Sequence, residues 1–351
     1  MSERALGPEA SLLDAVTAIE QSRRRLAVIV DGQQHVLGTI TDGDVRRALL
    51  RGATMNVAAK MLMNATPVVV RPGWREQDIV RALKERNVLA APVVDGEGRF
   101  LRIVHLTDLG YQDDMAFHET PIKTAVIMAG GEGRRLRPLT ETIPKPMVEV
   151  GEMPVLERQV RRLKSSGIER ILMSVNYLSE QIERHFGDGA AFGVSIEYLR
   201  ETTPLGTAGP LSLVEVGGSM IVMNGDLVTS CDFGSLAQFH AQEGAALTVA
   251  TVDHIVKIPF GVLSTRLDGQ VTAIEEKPSQ RFLCNAGIYV LSEEAVSRVP
   301  TRNFYNMTDL MEECIAANLK VIAYPLHEFW SDIGTLDDLE RVRALFGQKE
   351  N

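Results

Sequence analysis

The chain has 351 residues, a length that at about 150 residues per domain favours two domains. Its 45% hydrophobic and 24% charged residues exclude wholesale disorder, and no run of about 18 uncharged apolar residues is present to span a membrane. The net charge of −9 disfavours a nucleic-acid polymer as partner, because that needs a basic footprint.

The first residues, MSERALGPEA, lack a basic stretch followed by an apolar core, so no secretory leader is expected. Three dispersed cysteines, Cys231, Cys284 and Cys314, fit a reducing cytoplasm and argue against a disulfide framework. Charge is uneven. Residues 1–118 hold 15 basic and 15 acidic side chains, so residues 119–351 carry the whole excess.

The first part repeats itself. LAVIVDGQQHVLGTITDGDV (26–45) is similar to LAAPVVDGEGRFLRIVHLTDL (89–109), with Ala27 and Ala91, Asp31 and Asp95, Gly32 and Gly96, and Asp44 and Asp108 each 64 residues apart. Each copy predicts an amphipathic helix (11–22, then 76–87), a β-branched strand, a D-G turn and a second strand. A T-x-x-D or H-x-x-D step into a helix follows. In the second helix Ile79, Val80 and Leu83 share one face. This stretch resembles a tandem pair of CBS domains. The resemblance implies that Thr41 and Asp44, and His105 and Asp108 in the second copy, hold the phosphates and ribose of an adenine nucleotide, with His105 departing from the usual Ser or Thr. The bland alternative is that these aspartates cap helices in a dimerisation module.

QDDMAFHETP (112–121) is polar and ends in proline, which predicts a boundary: one domain at 1–118, a linker at 119–122 and a second domain at 123–351. KTAVIMAG then opens a buried strand. A helix at 154–166 with Leu156, Val160 and Leu163 inward, a strand at 170–175 and a helix at 179–186 follow, with apolar strands near 194–199, 219–223 and 246–252. The alternation predicts a three-layer α/β/α domain, Rossmann-like, with a mixed, mostly parallel sheet and a ligand site at the carboxyl ends of the strands.

MAGGEGRRLRPLTETIPKP (128–146) is the sharpest signal. Ala129 ends the strand. Gly130, Gly131 and Gly133 let the backbone approach a phosphate chain, and successive N–H groups can form an anion nest. Arg134, Arg135 and Arg137 add fixed charge, and Lys145 is stiffened between two prolines. The G-K-[ST] of a P-loop is absent, and the loop does not lead directly into a helix as a dinucleotide fingerprint would.

Glycines, arginines and P-K-P in this order resemble the signature of sugar-1-phosphate nucleotidyltransferases, with Arg134 where that family usually has Thr. Further motifs extend the resemblance over nearly all of 122–351: LGTAG (205–209), NGD (224–226), EKP (276–278), NAGIYV (285–290) and WSDIGT (330–335). The resemblance implies transfer of a nucleotidyl group from an NTP to a sugar 1-phosphate, with release of pyrophosphate. Arg135 would hold the triphosphate and Lys145 the α-phosphate. Gly206 would approach the base. Asn224, Gly225, Glu276, Lys277, Asn285 and Gly287 would face the sugar and its phosphate. Asp226 and Asp332 would hold Mg²⁺.

Glu201, five residues before Gly206, stands where thymidylyl- and uridylyltransferases of this family commonly have Gln. A carboxylate only accepts hydrogen bonds, which suits the adjacent N1–H and N2–H₂ of guanine and not the single N3–H of uracil between two carbonyls. GTP is therefore the favoured donor. Chains of this layout resemble bacterial guanylyltransferases that act on glucosamine 1-phosphate or mannose 1-phosphate for surface glycans. Only about 16 residues follow D-I-G-T, which argues against the bifunctional N-acetylglucosamine uridylyltransferases with their β-helix domain. Two other readings stand beside this one: a thymidylyl- or uridylyltransferase acting on glucose 1-phosphate, and a catalytically silent nucleotide-binding regulator. CBS pairs usually associate in twos, so a homo-oligomer is expected.

Overall fold

The computed structural model describes residues 5–22, 26–86, 88–109, 120–215, 217–266 and 268–347. The chain divides into two compact units, Met1–Ala116 and Phe117–Asn351. Among the described residues no helix is long and apolar enough to cross a membrane.

The first unit contains α1 (Leu12–Gln21), β1 (Leu26–Val30), β2 (Val36–Thr41), α2 (Asp42–Leu50), α3 (Glu76–Glu85), β3 (Ala90–Val94) and β4 (Phe100–His105). The repeat read from sequence is a repeat of register. Leu26 pairs with Thr41 and Ala90 with His105; Val30 pairs with Val36 and Val94 with Phe100. Both antiparallel hairpins break register at the same place, between Ile29 and Val30 and between Val93 and Val94. The turn chemistry is shared as well. Asp31 accepts from the N–H groups of Gln33 and His35, and Asp95 from those of Glu97 and Arg99, at 2.8 to 2.9 Å. Ile79, Val80 and Leu83 of α3 are buried, as their spacing requires.

Part of the stretch read as a linker at 119–122 is packed against the second unit. The polar stretch 112–119 lies outside the described residues. Thr120, however, is buried, its N–H donates to the Ser166 carbonyl at 3.0 Å, and Ile122 joins the hydrophobic core. Residues 120–122 are thus packed structure, because a buried backbone must pair its polar groups.

Its elements are β5 (Thr124–Met128), a two-residue ribbon β6 (Glu149–Val150) and β7 (Met153–Pro154), α4 (Val155–Ser165), β8 (Arg170–Val175), α5 (Ser179–Phe186), β9 (Ser195–Arg200), β10 (Met220–Asn224), β11 (Leu227–Thr229) and α6 (Phe233–Glu243). Then come β12 (Leu247–Lys257), β13 (Val262–Thr265), β14 (Val271–Glu275), β15 (Ser279–Leu291), α7 (Glu293–Val296), α8 (Met307–Ala316), β16 (Val321–Pro325), β17 (Trp330–Asp332) and α9 (Leu336–Gly347). Seven strands form the main sheet in the order β16-β12-β15-β10-β5-β8-β9. Four of its six pairings are parallel; β15 runs antiparallel to both neighbours.

Alternation along each strand separates two cores. Ala125 and Ile127 of β5, Ile171 and Met173 of β8, and Ile221 and Met223 of β10 point into one. Val126, Leu172 and Val222 point into the other. The result is the three-layer architecture with a mixed, mostly parallel sheet.

His240 of α6 is buried against β12, where its Nδ1 lies 2.8 Å from the Thr248 hydroxyl. Burial pushes its pKa from 6.5 down to about 4, so the folded ring is neutral. The unfolded state then binds more protons between these values. The stability contribution is complete above pH 6.5 and is lost as pH falls towards 4, by an amount of order ~3 kcal/mol. Urea unfolding at pH 7 and pH 4.5 should show this drop, and His240→Gln should flatten it; equal pH dependence in both proteins would disprove the assignment.

Candidate functional site

The site is assembled at the carboxyl ends of two adjacent parallel strands. β5 and β10 pair in parallel, with Met128 beside Asn224. The Gly225 N–H donates to the Met128 carbonyl at 2.9 Å, and a Cβ on Gly225 would lie 2.8 Å from that oxygen, so only glycine fits the turn. The glycine loop after Met128 and the turn carrying Asp226 therefore leave the sheet together. Gln159 of α4, buried, supports the turn from below: its Nε2 donates to the carbonyls of Asn224 at 3.0 Å and Leu227 at 2.8 Å.

Lys145 returns to this point. Gly133, at φ +63°, packs directly on it; a Cβ there would come within 2.9 Å of the Lys145 Cβ. The Lys145 ammonium pairs with Asp226 Oδ2, and both side chains are largely buried, at 11% and 22% exposure. Antiparallel pairing of β11 with β17 sets Leu227 opposite Asp332, and the Ile333 N–H donates to the Asp226 carbonyl at 3.1 Å. The two carboxylates read from separate motifs are thus neighbours. Burial and the charge of Asp226 push the Asp332 carboxyl above its ordinary range, while Lys145 and Arg135 oppose that rise. Asp332 Oδ1 is buried without a hydrogen-bond partner.

Among the described residues no group of three or more His, Cys, Asp or Glu side chains is arranged to hold a metal. A pair of carboxylates, one with an unsatisfied buried oxygen, nevertheless fits a hard divalent cation. Mg²⁺ is usually held by one or two carboxylates plus phosphate and water rather than by an all-protein cage. Arg135 lies on the same spot: a Cβ on Gly334 would be 3.3 Å from Asp332 Oδ2 and 3.4 Å from both Arg135 and Asp338.

Asn224, Asn285 and Gly287, read from sequence as sugar contacts, converge. A Cβ on Gly287 would sit 2.5 Å from the Asn224 amide, and the Gly287 N–H donates to Asn285 Oδ1 at 2.9 Å. Glu276 and Lys277 stand elsewhere, on the exposed ribbon of β13 and β14 and the turn after it, 4.0 Å apart and about 70% exposed.

Three of the residues read from sequence are engaged by the protein itself. Arg134, read as a phosphate contact, is exposed and bound by both oxygens of Glu132, at 2.7 and 3.2 Å. Gly206, read as making room for a base, makes room for protein: at φ +80° its missing Cβ would lie 2.6 Å from the Tyr305 carbonyl, which accepts from the N–H groups of Ala208 and Gly209. Glu201 turns its carboxylate inward, where Oε1 accepts from the Ser174 hydroxyl and Oε2 from the Leu205 N–H at 2.7 Å. Ser174, Gln159 and Gly334 were not singled out from sequence. The first had a signal, a lone hydroxyl in the apolar run ILMSV.

In the first unit Thr41 and Asp44 form a capping box on α2, with the Thr41 hydroxyl 2.7 Å from Asp44 Oδ2 and Arg47 2.7 Å from the other oxygen. In the second copy the N–H of buried His105 donates to Asp108 at 3.0 Å. Helix capping accounts for the first pair without a ligand.

The nucleotidyl transferase family model matches residues 124–349, and the CBS domain model matches 4–51 and 58–109. A mannose-1-phosphate guanylyltransferase of Mycobacterium tuberculosis is 33% identical over 241 residues, covering 66% of this chain and 65% of that protein. A UTP–glucose-1-phosphate uridylyltransferase of Synechocystis sp. is 31% identical over 247 residues, 64% of each. The chain therefore spans slightly under two thirds of the length of these curated relatives. Among solved structures, HddC from Yersinia pseudotuberculosis aligns over 64% of this chain and 100% of its own, at 25% identity and a TM-score of 0.51. It has also been solved in complex with GMP-PN.

Replacing Gln159 by Ala removes the donor to two buried carbonyls. It should cost about 2 kcal/mol of stability, seen as a lower urea midpoint with unchanged slope. A midpoint within error of wild type would mean the turn at 225–226 does not depend on α4.

Proposed function

The chain belongs to the nucleotidyl transferase family, and on that premise we propose that it transfers a nucleotidyl group from an NTP, with GTP favoured, to a sugar 1-phosphate. The convergence of Lys145, Asp226, Asp332 and Arg135 beside the glycine loop carries this reading. A catalytically silent regulator has no use for a carboxylate with a buried, unsatisfied oxygen next to a second carboxylate, and this disfavours that alternative.

The nucleophile is an oxygen of the sugar phosphate, already anionic because the second pKa of such a monoester is about 6. It attacks the α-phosphorus. A new P–O bond forms, the bond to the β-phosphate oxygen breaks, and pyrophosphate leaves. No general base is needed. The barrier is the approach of two anions, so catalysis is positioning and charge neutralisation. In this reading the glycine loop and Arg135 hold the triphosphate, and Lys145 releases Asp226 to meet the α-phosphate. Lys277 approaches the sugar phosphate by movement of the exposed ribbon, and Asn224, Asn285 and Gly287 face the sugar. Asp226 and Asp332 are the residues that would hold Mg²⁺, whose charge offsets that of the phosphate oxygens.

Glu201 supports GTP as donor by the acceptor argument, and the guanylyltransferase among the relatives points the same way. Mannose 1-phosphate and glucosamine 1-phosphate are the acceptors to try first, and cytoplasmic action is consistent with both. Pyrophosphate release, measured for GTP, UTP, dTTP and CTP against a panel of hexose 1-phosphates, tests the reading. GTP should be used best, and Asp226→Asn should lower turnover at least a thousandfold with the fold intact. Near wild-type turnover in the variant would remove the metal assignment.

The first unit is proposed as a regulatory and assembly module that makes the protein a homo-oligomer. If its two CBS-like repeats take an adenine nucleotide, saturating AMP or ATP should change kcat/KM of the full chain; unchanged kinetics would leave the unit with assembly alone.

A further inference from the structure

Four pieces of the second unit meet at one carboxylate. Ser174, near the carboxyl end of β8, is fully buried, and its hydroxyl donates to Glu201 Oε1. The Leu205 N–H, from the LGTAG loop, donates to Glu201 Oε2 at 2.7 Å. The Glu201 peptide is fixed on both sides, its N–H donating to the Val175 carbonyl at 3.1 Å and its carbonyl accepting from Asn176 Nδ2 at 2.8 Å. From the glycine loop, Gly130 presses in: a Cβ there would lie 2.9 Å from Oε1.

Each oxygen of this carboxylate accepts one bond from the protein. An ionised carboxylate has about four acceptor positions, so one on each oxygen remains for a ligand. Two adjacent acceptors, held in a fixed plane by donors from the protein, suit a base edge that presents two adjacent donors. Without the hydroxyl, the carboxylate keeps only the Leu205 N–H and is free to turn about its terminal torsion, which is broad for Glu. A hydroxyl buried in a sheet is unfavourable unless it is paired, so its presence in an apolar strand calls for a partner, and Glu201 is that partner.

We propose that Ser174 is a specificity-determining positioning residue: it fixes the Glu201 carboxylate as a two-pronged acceptor for guanine. The proposal rests on the reading of Glu201 as the base reader. Ser174 itself touches no substrate.

Ser174→Ala tests it, with Ser174→Cys beside it to keep nearly the same volume while replacing a strong donor by a weak one. In both variants the KM for GTP should rise about tenfold while kcat stays within twofold, because Lys145, Asp226 and Asp332 are untouched. Thermal midpoints establish that the variants are folded, and the cysteine variant stands in if the alanine variant is not. A GTP KM within twofold of wild type in a folded variant overturns the proposal. So does an equal loss of kcat and kcat/KM, which would mean that Ser174 only supports the loop. Wild-type protein that does not prefer GTP over UTP, dTTP and CTP would overturn the base reading and this inference with it. A GTP preference kept by Ser174→Ala but lost by Glu201→Gln would overturn only the role of Ser174.

Discussion

The parallel pairing of β5 with β10 is the constraint on which the site depends. It sets Met128 beside Asn224, and the Met128 carbonyl closes the turn by accepting the Gly225 N–H at 2.9 Å. Two chain segments about ninety residues apart therefore leave the sheet from the same edge and in the same direction. One carries glycines and arginines, the other Asp226. Parallel strands need crossover connections, and α4 lies in the crossover from β5 to its other parallel neighbour, β8. Gln159, on that helix, holds the turn after β10.

Charge is the second theme. Under the proposed function, a protein with nine excess negative charges would handle polyanions by separating net from local charge. Asp226 is neutralised by Lys145 in the structure, and half-buried Asp332 neighbours it with one buried oxygen unpaired. This arrangement is unfavourable by itself, since a buried carboxylate next to another is costly. Such local cost is what a site organised around an incoming cation and its phosphates would carry, and the surrounding packing sustains it. Leu136, Val148, Val228, Ile333 and Leu339 belong to a small core, and three of them lie within two positions of Arg135, Asp226 and Asp332 in the chain.

The first unit follows a different logic. Its two halves repeat not only residues but hydrogen-bond register, down to the bulge and the aspartate that closes each turn. The Thr41–Asp44 pair is satisfied as a capping box, so the residues that a nucleotide would engage already have work within the fold. A ligand there would exchange one set of hydrogen bonds for another, and its net gain would be correspondingly modest.

The sequence by itself determined many of the elements, the repeat, the three-layer class and the glycine loop. Each of these is local: a strand of alternating or continuous apolar residues, an amphipathic helix or a glycine at a turn is written in a few neighbouring positions. It also marked Lys145, Asp226 and Asp332, because residue type and motif order were enough. What it could not decide was who touches whom. That Arg134 turns to Glu132, that Gly206 makes room for Tyr305, and that Glu201 is clamped by Ser174 are outcomes of packing between segments distant along the chain or of rotamer choice. The packing of residues 120–122 is decided in the same way. A polar composition looks like a linker until a buried Thr120 finds the Ser166 carbonyl. Hydrogen bonds are satisfied only in three dimensions, and only the tertiary structure assigns each donor its acceptor.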